Sequence, residues 1–378
     1  MKKTLLAAAL LAGFAGAASA QSSVTLYGVV DMGLNYQSIK PGSANPNGST
    51  QSQFGMASGQ QSGSRWGLKG VEDLGNGLSA NFVYESAVVA TTGASTGFTR
   101  QSTVGLVSKS WGALDLGRRT APSTQAFSGI DPFAAGYGTA ATTTTIGTNF
   151  YRLSNMVMYT TPTMSGFSGS VGYSFDTGLT LGGTPTPTGT GAYGTGYKSR
   201  AVSVGLRYAN GPILLAGTYD SFQAPGSRTA VPAAKNVNMW ALGGTYDFKV
   251  VKVHAAYSQS IDGLLNNLTT INSVATGGDT NSSSALQYRP GARTNSWMVG
   301  LSAPVGAAGR VFGSVQQKLP GGNLKELNTG NELSASIGYT YAMSKRTNVY
   351  AYYSYVNNTA MVSSATVNTI GLGVRHLF

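Results

Sequence analysis

Along much of this chain, apolar and polar residues trade places one by one. From Val24 to Tyr36 one parity holds Val24, Leu26, Gly28, Val30, Met32, Leu34 and Tyr36, and the other holds Thr25, Tyr27, Val29, Asp31, Gly33 and Asn35. A period of two with one largely apolar face predicts a β-strand, because successive side chains point to opposite faces. The pattern recurs in Leu78–Glu85 and in the row Phe167, Gly169, Val171, Tyr173 and Phe175. Three later rows repeat it: Val202-Val204-Leu206-Tyr208, Val251-Val253-Ala255-Tyr257, and Leu333-Ala335-Ile337-Tyr339-Tyr341. If the apolar parity meets lipid, Asp31 faces the opposite side.

The connections alternate in length. Residues 73–77, 209–212 and 342–346 are short and carry the Gly, Asn and Pro of tight turns. Residues 37–62, 119–151, 177–197, 222–236 and 259–293 are long, mostly polar, and rich in Gly, Ser, Thr, Asn and Pro. Short turns on one rim and long loops on the other predict an all-β, antiparallel transmembrane barrel. Counting from residue 21, at roughly 22 residues per strand with its connection, gives about sixteen strands, with fourteen and eighteen also open. Barrels of roughly 16–18 strands leave an aqueous channel.

Composition sharpens this. Only 10% of residues are charged, against about 25% in soluble domains. Past the first twenty residues no apolar run approaches the ~18 residues of a membrane helix, so a closed barrel is the remaining way across a bilayer. At the N-terminus, Lys2 and Lys3 precede an apolar stretch from Leu5 to Ala17, and Ala18-Ser19-Ala20 reads as a cleavage site. Residues 1–20 are therefore expected to be a signal peptide and 21–378 the barrel. Removing Lys2 and Lys3 lowers the formal charge from +12 to +10. The chain has no Cys, which leaves no disulfide framework.

Ten tyrosines, Tyr27, Tyr84, Tyr159, Tyr173, Tyr208, Tyr219, Tyr246, Tyr257, Tyr339 and Tyr355, recur near proposed strand ends, as interfacial girdles require. Ile370, Leu372, Val374, His376 and Phe378 alternate up to the terminal aromatic.

Particular stretches then resemble a known family. Residues 22–31, SSVTLYGVVD, resemble the first strand of general porins of beta-proteobacteria, and 64–78, SRWGLKGVEDLGNGL, their second strand and turn. GALDLGR at 112–118 and the stretch Arg152–Pro162 resemble the strands that enter and leave a constriction loop. YAMSKRTNVYAYYSY at 341–355 and the ending GVRHLF complete the set, in order along the chain. The resemblance implies a sixteen-stranded outer-membrane barrel, a homotrimer, and passive diffusion of ions and small hydrophilic solutes. It further implies contact with outer-membrane lipid and lipopolysaccharide, and Phe378 as the signal read by the barrel assembly machinery.

It also implies that the third external loop, about Arg119 to Tyr151, folds into the barrel. Arg65, Lys69, Arg100, Arg118 and Arg152 are then expected in the lumen, where an arginine avoids the ~2–4 kcal/mol cost of facing lipid at the midplane. Alternation groups Arg152 with Ser154, Met156 and Met158, a wall less polar than expected there. Asp131 is the only acid between Arg119 and Tyr151, and Glu85 and Asp31 add negative charge on the wall. Fixed charges facing water set selectivity in a wide pore, so a leaning to anions is expected.

Other classes fit less well. A barrel enzyme needs a nucleophile with its base, and the only histidines, His254 and His376, have no G-x-S-x-G nearby. Without Cys and with scattered acids no metal site is expected, nor a cofactor. Basic residues are spread rather than clustered, which argues against nucleic acid. A solute-specific channel or an adhesin-like barrel stays open as an alternative.

Overall fold

The structure, a computed structural model, describes residues 23–44, 47–141, 146, 152–177, 200–223, 235–266, 285–327 and 329–378. The expected signal peptide lies outside the described residues, as do most of the loops at 177–197 and 222–236.

The strands form one closed antiparallel barrel. Eighteen segments make up the strand order, but Gln51–Ser58 and Arg65–Gly75 both pair with the first strand and are two halves of one broken strand. The two-residue Ala94–Ser95 pairs only with Val88–Val89. Sixteen strands remain: β1 Ser23–Lys40, β2 in its two halves, β3 Leu78–Val89, β4 Gln101–Ser108, β5 Gly112–Thr120, β6 Arg152–Thr160, β7 Phe167–Ser174 and β8 Ala201–Asn210. The circuit continues with β9 Ile213–Phe222, β10 Val237–Asp247, β11 Lys252–Asn266, β12 Ala285–Val305, β13 Gly309–Gly322, β14 Glu332–Ala342, β15 Thr347–Asn357 and β16 Thr366–Leu377. β16 closes onto β1 in register from Val29↔Leu377 to Lys40↔Thr366. The terminal Phe378 extends this seam by exchanging two backbone hydrogen bonds with Gly28, 3.0 and 3.1 Å long.

The apolar parity faces outward. Val24, Leu26, Val30, Leu34, Leu206, Leu242, Val299, Leu301, Ile337, Ile370 and Leu372 are all exposed, an arrangement that only a lipid solvent rewards. Outer-wall aromatics donate to polar side chains on the next strand: Tyr219 Oη to Asn238 at 2.9 Å, Tyr257 Oη to Asn295 at 3.0 Å, Trp297 Nε1 to Gln317 at 3.1 Å and Tyr353 Oη to Asn368 at 2.9 Å. An apolar ring with a satisfied polar tip suits the interface between lipid tails and water. Tyr27 departs from the expected girdle. It shares the inward parity of Asp31 and bonds Glu85 inside the barrel.

Two of the expected long loops contain strand. The 37–62 stretch includes the first half of β2, and β11 and β12 run deep into 259–293, with a register shift between Ile261 and Gly263. Polar Ser, Asn and Gln there satisfied the composition of a loop, yet a paired backbone needs few apolar side chains, here Ile39 packed on Val356 and Val367, and Ala292 on Leu324 and Met361.

Candidate pore and its charged walls

The described part of the expected lumen loop, residues 119–141 and 146, lies inside the barrel, and the rest of it lies outside the described residues. After β5 the chain forms a short helix, α1 (Pro122–Phe127), with proline at its start and every residue but Gln125 buried. Ser123 N–H donates to Ser203 Oγ on β8 at 3.2 Å. Phe127 and Ile130 pack with Ala216, Ala241, Ala256 and Met298 of β9 to β12. Phe133 and Tyr137 pack with Phe312, Tyr350 and Tyr352 of β13 and β15. Thr139 Oγ1 donates to Ser354 Oγ at 3.0 Å, and Gln316 Nε2 donates to Ala140 O at 3.0 Å.

The segment lies this close because the wall is small where it passes. A Cβ on Gly205 would sit 2.4 Å from Pro122 O, and one on Gly243 2.8 Å from the Phe127 ring. Polar contacts fix the middle. His254 bonds Ile130 O through Nδ1 at 2.8 Å and Ser302 Oγ through Nε2 at 3.0 Å, and Arg310 Nη2 donates to Pro132 O at 3.1 Å. The loop thus follows the inner wall from β8 to β16. The sector from β2 to β6 stays open to the lumen.

Arginines line that open sector. Arg65, Arg100, Arg119 and Arg152 border a cavity of about 450 Å³, facing Thr124, Gln125 and Ser128 of the loop. Two acids stand behind them. Buried Glu85 accepts from Arg100 Nε at 2.8 Å and from Tyr27 Oη at 3.0 Å, and lies 3.6 Å from Arg65 Nε. Asp115 is paired with Arg119. Among the described residues, four guanidiniums stand in this sector with the two carboxylates of Glu85 and Asp115.

A second cavity, about 560 Å³, lies towards the short turns and is bordered by Lys249, Lys252, His254, Arg310, Asp131 and Asp247. Ser128 and Ala134 border both cavities, so the loop is the partition between them. Asp131 is buried. Its oxygens accept from the N–H groups of Phe133 at 2.9 Å and Ala135 at 3.0 Å. Lys252 Nζ lies 3.1 Å from Asp247.

The structure brings Arg65, Arg100, Arg152 and Glu85 together and places Asp131 on the far side of the loop. Lys69 also points inward, exposed, with Nζ 5.4 Å from the centre of the Tyr27 ring. Arg118 is placed differently from expectation. Regular pairing with β4 puts Arg118 opposite Ser102, on the outward parity of Leu114 and Leu116, while Arg119 keeps the inward parity of Asp115 and Gly117; the register shift at this level lies in the pairing with β6. Its guanidinium donates to Thr99 O at 2.5 Å and Ser154 Oγ at 2.7 Å, and its neighbour Arg119 takes the inner place. Asn155, at φ 48°, interrupts the alternation after Arg152. Met156 and Met158 do face inward, but they are buried with Ala121 and Leu153 and do not line the water path. Arg119 and Arg310 were missed, whereas Lys252 shares the inward parity of His254 opposite the row Val251-Val253-Ala255. The apolar row Val311-Gly313-Val315 and its parity partner could have found Arg310.

Comparison with known proteins agrees with this architecture. The family model of the Gram-negative porins matches residues 7–360. An outer membrane porin protein of Bordetella pertussis is 44% identical, with both chains covered in full. Outer membrane porin protein 32 of Delftia acidovorans is 32% identical over all of this chain and 94% of that one. Among solved structures, an anion-selective porin from Comamonas acidovorans superposes with a TM-score of 0.70 at 26% identity, covering 95% of this chain and 100% of its own. Barrel, inward loop and full-length relatives converge: this chain belongs to the Gram-negative porin family and resides in the outer membrane.

Proposed function

We infer that the chain is a diffusion channel for ions and small hydrophilic solutes that prefers anions, with Arg65, Arg100, Arg119 and Arg152 as its selective wall and Lys69 contributing from the same inner face. The observation that carries this is the convergence of four arginines on one water-filled chamber while the nearby acids are consumed. Glu85 and Asp115 are held by those arginines, and Asp131 by backbone N–H groups. A mobile anion meets a wall where, among the described residues, arginines outnumber acids, and the loop's one acid, Asp131, is hydrogen-bonded to its own backbone. The second chamber adds Lys249, Lys252 and Arg310 along the same path. The Comamonas relative is described as anion-selective, which is consistent with this reading.

The homotrimer is part of the same proposal, supported by the family resemblance and by an outer wall that is apolar around the circuit. Contact with lipopolysaccharide at the long-loop rim, and recognition of the β16 end with Phe378 by the assembly machinery, belong to it too. The deciding experiment is single-channel recording with the reversal potential measured in a potassium chloride gradient. Chloride is expected to be preferred. A reversal potential of the opposite sign removes the anion assignment and leaves the channel. Liposome swelling with sugars of graded size is expected to show a sieve rather than one favoured solute.

A further inference from the structure

β2 is broken between Ser58 and Arg65, and the residues of the break leave the wall and fold into the lumen. Gln60 lies over the inner face of β1 and β16. Its Nε2 donates to Leu34 O at 3.3 Å and Leu372 O at 3.4 Å. Asp31, fully buried, is the anchor. Its carboxylate accepts from Ser62 N–H at 2.7 Å and from Tyr350 Oη at 2.5 Å, and its own N–H donates to Ser64 Oγ at 3.0 Å. Arg375 Nε donates to Ser62 Oγ at 2.9 Å, and Asn348 Nδ2 to Gln61 Oε1 at 2.8 Å.

The other side of this excursion touches the inward loop. Tyr137 N–H donates to Gln60 O. A Cβ on Gly136 would sit 1.8 Å from Gln61 O, so the two backbones are in direct contact. Here the loop is strained. Ala134, Ala135 and Tyr137 have φ of 49°, 64° and 66°, a region that residues other than glycine keep only when their surroundings hold them. Ala134 also borders both chambers, so where this stretch sits decides how wide the partition opens. Gln61, Ser62 and Gly63 themselves face the arginine chamber opposite the loop.

We propose that residues 59–64 are a second inward element: a bracket anchored on Asp31 that fixes the strained tip of the loop and, with it, the size limit and ion preference of the pore. This rests on the channel reading. Asp31 and Tyr350 are positioning residues, acting through Ser62 and Gln60 on Gly136 and Tyr137. The bracket also gives this lumen-facing carboxylate its partners, the backbone N–H of Ser62 and the Tyr350 phenol.

The test compares wild type with Asp31→Ala, Asp31→Asn and Tyr350→Phe in planar bilayers, and by hydrogen exchange on peptides spanning 133–141. Releasing the bracket is expected to raise conductance about twofold, increase open-channel noise, admit larger sugars and weaken the ion preference. Tyr350→Phe keeps its ring in the apolar cluster and loses only the hydroxyl, so it should shift every readout in the same direction and by less. Asp31→Asn, which keeps one acceptor, should fall between wild type and Asp31→Ala. Exchange at 134–137 should rise in step with conductance. Unchanged conductance, sugar limit and exchange in folded variants overturn the bracket. If Asp31→Ala does not fold, Tyr350→Phe alone decides, and wild-type behaviour there is equally fatal. A wild type that carries no current would sink the channel reading instead, while the exchange comparison would still judge the bracket.

Discussion

The two chambers on either side of the inward loop carry charge of the same sign, reached by different constructions. Towards the long loops, arginines are held in place by acids buried behind them: Glu85 and Asp115 have side chains only 7% exposed. Towards the short turns, the Lys252–Asp247 pair stands in water, its side chains 38% and 41% exposed, and Asp131 is folded into the loop's own backbone. A buried pair fixes where a guanidinium points, whereas an exposed pair adds a charge without fixing its place. The first chamber is thereby suited to selecting and the second to attracting.

Charge reversal tests that division most strongly. Arg152→Glu changes the fixed charge of the smaller, rigid chamber by two and is expected to move the reversal potential towards cations. Lys249→Glu makes the same formal change on an exposed turn and should move it less than half as far, at about 0.1 M salt where screening acts within ~10 Å. An equal or larger shift from Lys249→Glu would break the comparison and move selectivity to the short-turn side. No shift from Arg152→Glu would place that residue off the permeation path.

A smaller effect is expected from Glu85→Gln. Removing the carboxylate leaves Arg65 and Arg100 without their common partner, and a broken, largely buried pair costs on the order of 2 kcal/mol at partial exposure. The temperature at which the folded barrel loses its gel mobility should fall. The anion preference should rise, because one negative charge is gone from behind the selective wall. A rise in preference with no loss of heat stability would mean that the arginines keep their places without the acid.

How much of this was legible follows from which physics wrote the sequence. Period-two alternation is demanded by lipid outside and water inside, so rows such as Ile370-Leu372-Val374 gave the strands, and their parity gave Asp31, Glu85 and His254 an inward direction. Alternation fails where the backbone slips. On β6 the slip at Asn155 shifted the pairing with β5 between Gly117 and Arg119 and broke the parity of Arg152 with Met156; on β5 the alternation held, and it was the resemblance that placed Arg118 inward against its parity with Leu114 and Leu116. Such a slip leaves no hydrophobic signature, since an irregular backbone turns on hydrogen bonds to partners distant in sequence. The seat of the inward loop was written in what is missing. Gly205 and Gly243 read as weak strand residues until Pro122 and Phe127 are known to lie on them. The break at 59–64 was invisible for the same reason: Gly-Gln-Gln-Ser-Gly-Ser reads as an external loop, and only the reach of Asp31 and Tyr350 turns it inward.

The smallest change expected is also the one that separates the two constructions most cleanly. Asp247→Asn removes a charge 3.1 Å from Lys252 and weakens an acceptor for Lys249 N–H at 2.8 Å. Both bonds stand in water, where exposed pairs contribute little because solvent and salt screen them. Heat stability should not change measurably. At low salt the freed Lys252 should raise the anion preference slightly, and that gain should vanish near 1 M, where charges are screened within roughly 3 Å. The change produced by Glu85→Gln should persist in part at 1 M, because protein surrounds that carboxylate. Recording both variants across the same salt series therefore compares the chambers directly. If the two effects fade together, burial does not distinguish them, and the selecting wall has to be sought in shape rather than in fixed charge.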